Sequence, residues 1–149
     1  MRLGWLVAPA DLVDDLASFK LALDRGSPSL DQLAFADFLV RGEFDHHLRR
    51  MRPIYRARRD RLLKAIGTHL PGFDPCGASA GLHVVAWLPP GLQEAPLIER
   101  AADGGVAISG LAGYHTEPAA ARQGLLFGYG RVDESDIEQG IRIVAAAMD

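Results

Sequence analysis

Cationic side chains crowd one stretch of this chain, H-H-L-R-R-M-R-P-I-Y-R-A-R-R-D-R-L-L-K-A-I from His46 to Ile66, with seven arginines between Arg49 and Arg61. Guanidinium groups offer charge and paired donors to phosphate or carboxylate. Two chemistries are therefore open: phosphate contacts to a nucleic acid, or ion pairs along the solvated face of a linking helix. The run carries no aromatic stacking platform, and the chain has a formal net charge of -3 and a pI near 5.9, so bulk electrostatics do not recruit polyanions. The ion-paired helix is the favoured reading.

The remaining reactive residues form no complete catalytic site. His46 and His47 are adjacent and point about 100° apart on a helix, so they do not share a metal, and His69, His83 and His115 are scattered. No metal site is expected. Cys76 beside Gly77 reads as a bystander thiol in a turn, and His83 as a half-buried histidine on a strand. Tyr114, His115 and Glu117 share a polar loop that is either a ligand-facing or a plain surface segment. Gly104-Gly105 and the glycines from Gly124 to Gly130 match neither a P-loop nor a dinucleotide fingerprint, which leaves them as turn residues.

The elements that position these residues follow from apolar periodicity. Leu48, Met51, Tyr55, Leu62 and Ile66 form one stripe of a long helix, with Pro53 expected to kink it or to divide it near Met51. Before it, Arg2 to Pro9 reads as a strand apolar on both faces. A helix follows from Asp11 through Leu12, Leu16, Phe19 and Leu23 to Gly26, and a second, capped at Ser27-Pro28-Ser29, runs to Gly42. After it come a turn at Leu70-Pro71-Gly72, a strand from Gly81 to Leu88 and a helix from about Glu94 to Asp103. Short strands at Val106–Ser109 and Leu125–Tyr129 precede a last helix capped by Asp133. Pro71 to the end thus reads β-α-β-β-α, a small sheet with helices on one face.

With 149 residues, 48% of them hydrophobic, the chain can bury a real core. A single cysteine forms no internal disulfide, which fits a reducing cytoplasm, and the opening apolar run is too short to span a membrane.

Three segments carry a resemblance: M-R-L-G-W-L-V-A-P, the stretch H-H-L-R-R-M-R-P-I-Y-R-A-R-R-D-R-L, and G-L-L-F-G-Y-G followed by the terminal helix. Together they resemble the C-terminal part of the fold-type-I pyridoxal-phosphate aminotransferases, and within them the aminotransferase-like domain of MocR regulators in the GntR family. The resemblance implies an α/β fold in two parts. Residues 1-52 would be the tail of the large domain, and 53-149 an α+β small domain with a short, mostly antiparallel sheet covered by helices. The arginine helix would be the hinge between them.

In the family, a winged-helix DNA-binding domain precedes the aminotransferase-like domain, and the cofactor lysine lies shortly before the segment matching Arg2-Leu3-Gly4. Neither is expected within these residues, since the only lysines are Lys20 and Lys64, on amphipathic helices away from the matching position. The resemblance implies that Arg2 pairs with the cofactor phosphate. The arginine that grips a substrate carboxylate in ordinary members is matched by Leu126, with Arg131 the nearest substitute. The implied role is a C-terminal fragment of a MocR-type effector domain, dependent on pyridoxal 5'-phosphate in the intact protein and inactive as a transaminase alone. Its implied partners are a small amino compound or the cofactor as effector, DNA through the preceding domain, and a second copy in a homodimer. A fragment of a class I/II aminotransferase acting on an amino acid is the second reading. A stand-alone interaction domain presenting the arginines is the third.

Overall fold

The structure, a computed structural model, describes residues 3–117 and 122–148. It divides into two compact units, Met1–Arg50 and Met51–Asp149.

The first unit holds a short 3-10 turn at Ala10–Leu12, helix α1 (Val13–Asp24), helix α2 (Ser29–Val40) and the start of α3 (Glu43–His69). Asp14 and Asp15 sit in the first turn of α1, where the helix dipole favours carboxylates. Arg25, in the left-handed region at φ 56°, ends it. Phe44 packs edge-on against Phe35 and Phe38, with ring centroids 5.7 and 6.2 Å apart. No residue of α1 or α2 is buried, and Trp5, Phe19, Leu23 and Val40 are largely exposed.

Three local expectations are corrected here. Residues 3–9 form no strand: an isolated strand leaves its backbone groups unpaired, and no described strand pairs with this segment. Helix α2 begins after Pro28 without a side-chain cap from Ser27. Of the two outcomes expected at Pro53, a kink or a division, the division is corrected: α3 is a single helix through it. Proline there leaves the Arg49 carbonyl without its intrahelical donor, and the helix continues because the turns after it are packed through Leu62, Ala65 and Ile66.

The second unit is built on a four-stranded antiparallel sheet of order β1-β2-β4-β3, from β1 (Asp74–Cys76), β2 (His83–Trp87), β3 (Ser109–Gly110) and β4 (Gly124–Gly128). Helices α4 (Glu94–Asp103) and α5 (Glu134–Ala146) join the C-terminal half of α3 in one core. Val84, Ala86, Leu125 and Phe127 alternate toward that core, which is closed by Ile66, Leu70, Leu97, Ile141 and Val144.

The order after α3 is therefore β-β-α-β-β-α. Cys76 ends a strand rather than sitting in a turn; β1 is an edge strand, the place where its Pro75 is tolerated. Strand β3 begins at Ser109 and not at Val106. Asp133 is the residue before α5 but makes no side-chain cap bond, because one of its carboxylate oxygens faces Arg58 instead. No helix of the described residues is long and apolar enough to cross a membrane.

Candidate functional site

The sheet has a second face. Register places Cys76, Val85, Leu126 and Ser109 in one row across all four strands, with His83 opposite Gly128 and Trp87 opposite Gly124. These side chains alternate away from the core, so Leu126 lies on the open face, half-buried between its neighbours. Arg122 lies 4.6 Å over the Trp87 ring and 3.4 Å from Asp74. Position 126 therefore offers an apolar surface and no donor for a carboxylate.

The start of β4 is fixed by Glu94, a buried carboxylate that the sequence reading passed over. Its Oε2 accepts the N–H groups of Leu111 and Gly124, both at 3.0 Å, and its Oε1 that of Ala112 at 2.7 Å. Charge-assisted bonds from three backbone donors make a buried carboxylate tolerable. The approach demands glycines: a Cβ on Gly110 would sit 2.4 Å from Glu94 Oε1, and one on Gly124 would sit 2.6 Å from Leu111 Cδ1. Glu94 thus ties the backbone at Leu111 and Ala112 to that at Gly124, and with it the register of Leu126. The signal available in the sequence was a glutamate in the first turn of an amphipathic helix, which reads as an ordinary helix-dipole charge.

The far end of β4 is held by Arg58. This half-buried guanidinium donates to the Gly130 carbonyl at 2.7 Å and to Asp133 Oδ1 at 3.2 Å, and Tyr129 Oη donates to the Gly81 carbonyl at 2.8 Å. Arg131 sits in the turn so held. It is exposed, beyond the end of β4, and has no side-chain partner among the described residues. Farther along, Glu138 accepts from His69 at 2.7 Å and lies 3.3 Å from Arg61 and 3.4 Å from Arg142. The His69 hydrogen bond, then the two guanidinium charges, hold its carboxyl below the ordinary carboxylate range. The Arg61 contact is an ion pair by distance only, since its Nε has no hydrogen-bond partner. Arg58 and Arg61 are thus paired with acidic groups of α5 and its approach, within the second unit.

Among the other candidates, Arg2 lies outside the described residues. His46 and His47 lie on α3, and no group of three or more metal-ligating side chains comes together among the described residues. Tyr114, His115 and Glu117 are exposed.

No family model matches the chain. An uncharacterized HTH-type transcriptional regulator, YhdI, of Bacillus subtilis is 32% identical over 99% of this chain and 31% of its own length. The probable rhizopine catabolism regulatory protein MocR of Rhizobium meliloti is 30% identical over 99% of this chain and 30% of its own. An uncharacterized aminotransferase of Saccharolobus solfataricus is 33% identical over 72% of this chain and 27% of its own. Among solved structures, a multiple substrate aminotransferase from Thermococcus profundus superposes with a TM-score of 0.86 over 95% of this chain and 35% of that one, at 23% identity. This is an aminotransferase-like fold. The α-aminoadipate aminotransferase LysN of Thermus thermophilus, solved with a phosphopyridoxyl-leucine adduct, gives 0.83 and 26% identity over 95% of this chain and 36% of that one. The chain spans about a third of the length of the relatives it matches. It corresponds to the C-terminal part of an aminotransferase-like domain, with MocR-type regulators and aminotransferases both among its relatives.

Relatives of this kind imply pyridoxal phosphate, and the described residues do not fit covalent attachment of it. Lys20 is exposed on α1 and ion-paired with Asp24, whose carboxyl is held below its ordinary range by that hydrogen bond and by the Gly26 N–H. Lys64 is exposed on α3. Neither amine is in a desolvated site that would make it a nucleophile.

Proposed function

We propose that this chain is the C-terminal part of the effector domain of a MocR-type transcriptional regulator. The observation that carries the reading is similarity to two HTH-type regulators along 99% of the chain. The apolar side chain at Leu126 supports it, because amino-acid transamination needs a cation for the substrate carboxylate, and the strand position matched to that cation holds none. In the intact protein, residues 1-52 complete the large domain and 53-149 form the small domain. Arg2 pairs with the cofactor phosphate, and Arg131 is the cation nearest to a substrate carboxylate. Pyridoxal phosphate and a small amino compound act as effectors, and their occupancy is passed to DNA binding by a homodimer. This chain alone holds no covalent cofactor and turns over no amino acid.

The test uses the product of the whole reading frame that contains this chain. It should bind DNA from its own promoter region, with an affinity that changes when pyridoxal phosphate and an amino compound are added. Failure to bind DNA, together with steady amino-acid turnover, would overturn the proposal in favour of a class I/II aminotransferase. That second reading draws on the Saccharolobus solfataricus relative and the solved enzymes. For the chain alone, stoichiometric pyridoxal phosphate followed by borohydride should leave Lys20 and Lys64 without a pyridoxyl group by peptide mass. Labelling of either lysine would remove the cofactor argument.

A further inference from the structure

The arginines of α3 are of two kinds. Arg58 and Arg61 face α5 and are engaged there. Positions 52, 56 and 59 lie within about 60° of one another around the helix. They face a different neighbour, a cavity of about 370 Å³ shared with Tyr55, Ser79 and Tyr129 and contained within the second unit. Its opposite wall is the 78–82 segment that leads into β2.

Charge in this cavity is compensated only at Arg59. Arg59 donates twice, at 2.9 and 2.7 Å, to a single oxygen of Asp60, its chain neighbour. Among the described residues Arg52 and Arg56 have no hydrogen-bond or ion-pair partner, and no carboxylate lines the cavity. Two guanidinium groups without a counter-ion, beside a third that is paired with Asp60, leave net positive charge on one side of a concave site. The opposite wall supplies the Ser79 hydroxyl, and the tyrosines with Ala78, Ala80 and Leu82 add apolar area. The volume suits a small molecule and not a duplex, which would need a convex or grooved basic surface.

We propose that this cavity is a binding site for a small organic oxyanion, a phosphate or carboxylate carried on an apolar or aromatic body. Arg52 and Arg56 would take the oxyanion as paired donors, and Tyr55 and Tyr129 would flank the apolar part. The site is formed without Leu126 or Arg131 and stands whether or not the chain belongs to a regulator.

The test is calorimetry and amide NMR on the 149-residue chain at fixed ionic strength, with phenyl phosphate, benzoate, inorganic phosphate and phenol as probes. Phenyl phosphate or benzoate should bind and move the amide signals of Ser79 and Ala80, and the tighter of the two identifies the oxyanion. Phenol should not bind, and inorganic phosphate should bind more weakly. Arg52→Gln combined with Arg56→Gln should weaken binding about tenfold or more, the loss expected for charge-assisted bonds. Arg25→Gln with Arg49→Gln, equal in net charge and outside the cavity, should change it by less than about twofold. Ser79→Phe fills the cavity while leaving every arginine, and should weaken binding as well; all three altered positions in the cavity are exposed or at its rim, so the fold is kept. The proposal is overturned by absence of binding to both aromatic anions, by equal losses in the two double variants, or by binding of random-sequence duplex DNA without either small anion.

Discussion

Glu94 accepts three backbone N–H groups, so its replacement has a calculable consequence. Glu94→Gln keeps the shape but turns an NH2 toward donors, leaving at least one of these N–H groups without its acceptor; a loss of about 1–3 kcal/mol is expected in urea unfolding. A loss below about 0.5 kcal/mol would mean that Glu94 does not hold Leu111 and Ala112 to Gly124. Arg58 and Asp133 separate two contributions. Asp133 is 80% exposed, so Asp133→Ala should cost no more than about 1 kcal/mol, whereas Arg58→Lys, which cannot serve the Gly130 carbonyl and Asp133 together, should cost more. Equal losses in the two variants would contradict that division. Glu138 sets an acid limb. Its folded-state pKa is lowered, so the stability it contributes is present above its ordinary value of 4.5 and is lost as pH falls through the lower folded value. The groups facing it are His69 and Arg61 of α3 and Arg142 of α5. Glu138→Gln should flatten the fall in Tm below pH 4.5, and a variant curve parallel to the parent's would show that Glu138 does not carry it.

At the scale of elements, Pro53 offers the cleanest test. It is exposed within α3, and Pro53→Ala restores a donor to the Arg49 carbonyl and should stabilise the chain by about 1–3 kcal/mol. A lower Tm would contradict this, and would show that α3 gains from proline at this position. Elements with strong periodicity were legible from sequence: α4 runs from Glu94 to Asp103 as its apolar spacing and Gly104-Gly105 require, and β2 and β4 lie within a residue or two of their expected limits. Elements set by long-range partners were not. Asp-Pro-Cys carries no alternating apolar pattern, so β1 exists only through its pairing with β2. Val106 to Ser109 has the composition of a strand, yet pairing with β4 starts at Ser109, where Gly110 admits the Glu94 carboxylate. Residues 3–9 have strand composition and no partner.

For the whole molecule, the segments that carried the resemblance and the observed fold agree on an aminotransferase-like domain. The candidate site was less legible, because its positions depend on register. Leu126 could be matched by motif, but its place on the open face depends on pairing with Val85 and Ser109. The latch and the arginine cavity depend on residues far apart in sequence, Glu94 bonded to Gly124, and Arg56 lining one cavity with Ser79. The central claim, a regulator's effector domain and not an enzyme's, is tested most directly by determining the coding sequence immediately upstream of Met1. The account predicts the remainder of an aminotransferase-like domain preceded, in the same reading frame, by a winged-helix DNA-binding domain. An aminotransferase reading frame that starts without such a domain would contradict it.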